Sequence, residues 1–182
     1  DGRKTHPSHL KTFRDGWRTI RLFLLMSPSW LYFFPGFFLF AVSLVFSVLI
    51  YMRPLTINSV RLDVNTLLFI SFFGLAGYQI ILFGLYARVF SVIEGLLPKD
   101  RLFRAYHSVF SLENGLLLSS IFFLIGIAFG LHIFLAWSNV HYGDLSYAAS
   151  LRQTIASASF LFLSLETFFT SFLISSLTLS RR

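Results

Sequence analysis

Two residues could carry polar chemistry where water is absent. Glu166 sits in "LETFFTSFLISSL" and Gln79 in "GLAGYQIILFG", each near the middle of a long apolar run. Placing a carboxyl group at the centre of a bilayer costs at least about 2.5 kcal/mol on insertion scales, so a partner is expected. At equal depth the Gln79 amide and the Glu166 carboxyl can hydrogen-bond between helices, a contact contributing roughly 0.6–2 kcal/mol. The alternative is a proton relay or a substrate pathway. No further polar residue in the sequence lines up to extend one, so the expected role is interhelical adhesion. A metal centre is not expected: there is no cysteine, and His132 and His141 lack a third ligand.

A second group could bind an anion. Lys11, Arg14, Arg18 and Arg21 fall at i, i+3, i+7 and i+10, while Leu10, Phe13, Trp17, Ile20 and Leu24 follow one position away with the same rhythm. At about 100° of turn per residue, a cationic stripe then lies beside an apolar one. This is the pattern of a helix lying in the membrane interface with its cations at phosphate level. Each such cation contributes about 1 kcal/mol near an anionic surface. Gly16 weakens this helix by up to about 1 kcal/mol, and Pro28 allows the chain to turn into the membrane. Arg88, near the end of a later apolar run, is expected to reach the same interface, where it can meet a lipid phosphate, Glu94 or Glu113. These five cations are the candidate lipid-phosphate site. The plainer reading of each is a signal that fixes topology.

The elements that must position these groups follow from hydropathy. Of 182 residues, 55% are hydrophobic, 13% are charged and 24 are Phe, with a mean hydropathy of +0.72. Soluble domains carry about a quarter charged residues, so the surrounding solvent must be lipid. Four runs are long enough to cross a bilayer, at about 31–52, 66–93, 115–137 and 154–179. None alternates as a barrel strand would. The expected fold is all-α: a polytopic membrane protein of four transmembrane helices, residues 30–182, preceded by a basic amphipathic interfacial helix within 1–29. Gly126 and Gly130 form a GxxxG pair, and Gly74, Gly77 and Gly84 flatten one side of the second span. Both are expected to be packing surfaces.

Topology follows from the cations. Arg3, Lys4, Lys11, Arg14, Arg18, Arg21, Lys99, Arg101, Arg104, Arg181 and Arg182 flank one side, against Arg53, Arg61 and Arg152 on the other. That bias places both termini in the cytoplasm. The net charge of +7 is therefore read as affinity for anionic headgroups; no nucleic acid is expected as a partner. Residues 1–21 lack the apolar core and cleavage site of a signal peptide. The chain begins without methionine and reads as part of something longer.

The segment "LKTFRDGWRTIRLFLLMSPSWLYFFPG" resembles the junction after the catalytic domain in bacterial family-2 glycosyltransferases of the polyprenyl-phosphate type, similar to dolichol-phosphate mannose or glucose synthases. "LDVNTLLFISFFGLAGYQIILFGLYARVF", "EGLLPKD", "SLENGLLL" and "LETFFTSFLISSL" continue the likeness in order. The resemblance implies the membrane anchor and lipid-presenting region of an enzyme that moves a sugar from a nucleotide sugar to polyprenyl phosphate in the bacterial inner membrane. It implies a cytoplasmic catalytic domain fused upstream, and a divalent metal in that domain alone. No cofactor is expected in this chain, which has no Asp-x-Asp motif and no catalytic residue of its own. The family's Ser-Lys-Leu stretch reads Ser8-His9-Leu10 here, a departure from its pattern; the phosphate contact that the resemblance implies would fall on Ser8, His9, Lys11 and Arg14. An amide is common in the family where Glu166 stands.

A rival from another class is a stand-alone four-helix protein, either a small transport or flippase-like subunit or an oligomerising scaffold. A transporter should show internal repeats or broken midplane helices, and no repeat relates 31–93 to 115–179. Self-association is compatible with either reading.

Overall fold

The structure, a computed structural model, describes residues 16–17, 29–57, 60–98 and 111–179. Four helices dominate: α1 (Phe34–Met52), α2 (Val64–Ile93), α3 (Leu112–Asn139) and α4 (Tyr147–Leu179). All four are long and apolar enough to cross a membrane. The expected spans agree with them to within a few residues, except that α4 begins earlier, through "YAASLRQ". A π-helical turn, Ser29–Phe33, leads into α1. Pro35 then occupies the first turn of α1, where its missing N–H has no helical partner to lose. Between α1 and α2, strands β1 (Leu55–Ile57) and β2 (Val60–Leu62) pair antiparallel, Leu55 opposite Leu62. The apolar runs gave no sign of this small hairpin, which falls in the stretch expected to be loop.

Helix ends are fixed by local chemistry. At the end of α2, Gly95 adopts φ +73°, its N–H bonds to the Val92 carbonyl, and the Leu96 N–H reaches back to Ser91. This is a Schellman cap. The end of α3 repeats it with a non-glycine residue: His141 at φ 54° donates to Ser138, and Tyr142 donates to Trp137. The Trp137 and Tyr142 rings meet edge-on at 5.0 Å, supplying the apolar contact that accompanies such caps.

The helices pack as two antiparallel hairpins, α1 on α2 and α3 on α4, joined through α2 and α4. Small residues make both hairpins tight. On α1, Gly36, Ser43 and Ile50 are buried at a seven-residue interval. A Cβ on Gly77 would lie 2.6 Å from the Phe40 backbone nitrogen and 2.9 Å from the Gly36 carbonyl oxygen. In the second hairpin, a Cβ on Gly126 would lie 2.8 Å from the Leu161 side chain. Ser157 Oγ donates to the Gly126 carbonyl (2.8 Å), and Ser164 Oγ to the Ser119 carbonyl (2.9 Å). Lipid tails are as apolar as leucine, so close backbone approach and interhelical hydrogen bonds must hold such helices together. The glycines therefore serve the packing role their spacing implied.

Candidate functional site

The seam between α2 and α4 changes character along its length. At the β1–β2 end, Ile50, Val64, Leu67 and Ile155 form a buried apolar cluster. Beside it, Arg152 Nε and Nη2 both donate to Asp63 Oδ1, at 3.2 and 2.5 Å. This ion pair ties the N-terminal ends of α2 and α4 together. Sequence reasoning missed it, having treated Arg152 only as a loop charge. The signal was nonetheless there: Asp63 and Arg152 each sit immediately before a span.

Toward the other end the seam is polar. Tyr78 Oη lies 2.6 Å from Thr167 Oγ1, and Tyr86 Oη donates to Thr170 Oγ1 at 2.7 Å. Thr167 and Thr170 are fully or almost fully buried. With its amide nitrogen turned to the carboxylate, Gln79 Nε2 donates to Glu166 Oε1 (3.0 Å) and Oε2 (2.6 Å). The pairing expected from sequence is therefore present. The two tyrosine–threonine pairs beside it were not anticipated, because Tyr and Thr are unremarkable in apolar runs until a register brings them together. One register explains all three: residues 78, 79 and 86 meet 167, 166 and 170 as the parallel helices α2 and α4 run side by side at a nearly constant offset. Buried hydroxyls that find partners cost little, whereas unpaired ones in hydrocarbon cost several kcal/mol. Beyond these pairs, Leu85, Val89 and Ile174 close the seam, with Phe33 packed against them.

Arg88 lies in this last stretch and is 8% exposed. Its side chain is enclosed by protein rather than laid along the lipid-facing surface, the snorkelling arrangement expected of it. Lys11, Arg14, Arg18 and Arg21 lie outside the described residues. Of the basic segment, Gly16 and Trp17 are described; both are helical and Trp17 is exposed. His132 Nδ1 lies 3.1 Å from Gln153 Oε1. Among the described residues no three His, Asp or Glu side chains converge as a metal site would require.

Between the two hairpins lies a cavity of about 420 Å³. It is lined by α1 from Phe40 to Tyr51, by Leu67, Ser71, Gly74 and Leu75 of α2, by Phe122 and Phe129 of α3, and by α4 from Arg152 to Leu163. Phe129 stacks on Phe160 at 6.1 Å and meets Tyr51 edge-on at 6.0 Å.

Four helices long and apolar enough to cross a bilayer, held together by polar pairs in their seam, define a membrane-embedded helical module. Residues 85–178 match the family described as glycosyltransferase family 2 C-terminal transmembrane region, and the chain belongs to that family. It is also similar to the low-salt glycan biosynthesis hexosyltransferase Agl6 of Haloferax volcanii, at 29% identity over 172 residues. That alignment covers 93% of this chain and 40% of the relative. The chain thus spans well under half the length of that archaeal protein. No solved structure matches.

Proposed function

We propose that this chain is the membrane anchor and acceptor-presenting region of a transferase that moves a hexose from a nucleotide sugar to polyprenyl phosphate. The observation carrying this reading is that a hexosyltransferase aligns with 93% of the chain. The catalytic domain, with its divalent metal, belongs to the part of such a protein that this chain does not contain. We assign the basic segment 1–29 to the cytoplasmic face of the plasma membrane, where its cations meet anionic headgroups. Both termini and the segment between α2 and α3 share that side, as the distribution of Lys and Arg demands.

Lys11, Arg14, Arg18 and Arg21 hold the acceptor phosphate at the interface, and Arg88 contributes from the end of α2. A guanidinium matches a phosphate through paired charge-assisted hydrogen bonds. In the transfer, an oxygen of the lipid phosphate attacks the anomeric carbon of the sugar, and the nucleotide leaves with its phosphate. This chain's part is to hold the lipid phosphate at the height of the catalytic domain.

The test is transfer of labelled hexose to polyprenyl phosphate by the full-length protein in membranes, with Arg14→Glu/Arg18→Glu as the paired variant. Loss of transfer together with loss of lipid-phosphate retention is the expected result. Undiminished retention would remove the headgroup role, and a full-length protein without a nucleotide-sugar domain would remove the whole reading.

A further inference from the structure

The geometry points to the cavity between the hairpins as the seat of the distal end of the acceptor's isoprenoid tail. This inference rests on the function proposed above and locates the lipid within the bundle. The cavity is apolar and lies within the spans, so hydrocarbon, not water, is its natural occupant. From Phe40 to Tyr51 it extends about 16 Å along α1, taking 1.5 Å per residue.

Its two ends decide which hydrocarbon. At the β1–β2 end it is bounded by Arg152, bound to Asp63, and by Leu67 and Ile155, which pack in one buried cluster with Ile50 and Val64. Toward the other end its lining stops at Phe40 and Leu163, and Phe40 packs at 5.8 Å on Tyr78, which is itself bonded to Thr167. A lipid whose headgroup rests at the β1–β2 face cannot drop a chain through that boundary. The side between α1 and α3 is the way in, past Leu44, Val48 and Phe122, the first two half exposed. A chain entering there and ending at the β1–β2 boundary comes from a headgroup at the opposite, cytoplasmic face.

Ordinary acyl chains reach about half the roughly 30 Å hydrocarbon core and stop short. A polyprenyl chain crosses the midplane and has length to spare. Its methyl-branched units, stiffened by double bonds, also lose less freedom on ordering than a saturated chain does, which favours binding in a preformed site. The aromatic walls formed by Phe40, Phe122, Phe129 and Phe160 suit such a chain.

The experiment uses full-length protein in vesicles containing a long polyprenyl phosphate with a photoreactive diazirine at its tail end. A phospholipid with the same group at its acyl terminus, and farnesyl phosphate tagged likewise, serve as comparators. The expected result is labelling of peptides from Phe40–Tyr51 and Arg152–Leu163 by the long polyprenyl probe, reduced about tenfold by Ala156→Phe, which fills the space of two or more methylenes. Ser71→Phe on the facing wall should repeat the loss, so that misfolding of one variant cannot imitate it. Equal labelling by the phospholipid, or labelling unchanged by both fillings, overturns the inference. Cavity labelling in a protein that transfers no sugar would sink the proposed function and leave the tail site standing.

Discussion

Arg152 and Asp63 meet through two hydrogen bonds to a single carboxylate oxygen, joining the start of α4 to the start of α2 across 89 residues of sequence. Their side chains are 17% and 22% exposed, so the pair is neither an ordinary surface contact nor a dry one. Screening by water and headgroups limits its value. Asp63→Asn should lower the stability of the detergent-solubilised protein by about 1 kcal/mol, read as a drop in Tm. Arg152→Gln in the same background should add little, because the partner is already gone. Additive losses in that double-mutant cycle would show that the two do not act together.

A separate consequence concerns Gly77. A methyl group there meets the backbone of α1 at Phe40 and Gly36, and backbone cannot rotate aside as a side chain can. Gly77→Ala should therefore force α1 away from α2 and cost about 1–3 kcal/mol, as overpacking of a tight contact does. Gly16, with nothing within 4 Å of a built Cβ, supplies the control: Gly16→Ala should be neutral or slightly stabilising, since alanine is the better helix former. Thermal unfolding of both variants in one detergent checks the pair. An unchanged Tm for Gly77→Ala would mean the hairpin is looser than its geometry shows.

Glu166 separates adhesion from proton transfer. Gln79 donates to both of its oxygens, and Glu166→Gln keeps an acceptor at that place while removing the titratable group. If the pair is adhesive, Glu166→Gln should leave stability and sugar transfer near wild type. Glu166→Leu should lose roughly 0.6–2 kcal/mol by stranding the Gln79 amide. A proton pathway would reverse the pattern for activity: Glu166→Gln would abolish transfer although the fold survives. Measuring transfer and Tm on both variants distinguishes the two.

The spans could be read from hydropathy because in hydrocarbon a helix must satisfy its own backbone, so length and apolarity nearly suffice. Gln79 and Glu166 were legible for the same reason: each is anomalous in its run and requires a partner. Tyr78, Tyr86, Thr167 and Thr170 are not anomalous alone, and their pairing depends on the axial register of α2 against α4, which no local pattern records. The cavity is hidden more deeply still. It exists because two glycine-tightened hairpins meet through α2 and α4 and diverge elsewhere, a property of packing rather than of any segment. The β1–β2 hairpin is too short for an alternating pattern to declare itself between Pro54 and Asp63.

Arg88 gives the sharpest test of the phosphate site, because it is a described cation whose side chain lies within the bundle. A phosphate contact there would be partly shielded from water, where hydrogen bonds to charged groups are worth about 1.5–3 kcal/mol. Arg88→Gln should then raise KM for polyprenyl phosphate by roughly ten- to a hundredfold, leaving KM for the nucleotide sugar unchanged. Arg88→Lys should recover part of the loss, since lysine supplies the charge without the planar fork. A purely topological cation would behave otherwise: one charge among many on that side can be removed without moving KM. Equal rises in both KM values would instead assign Arg88 to the fold, and the acceptor phosphate would then rest on the basic N-terminal segment alone.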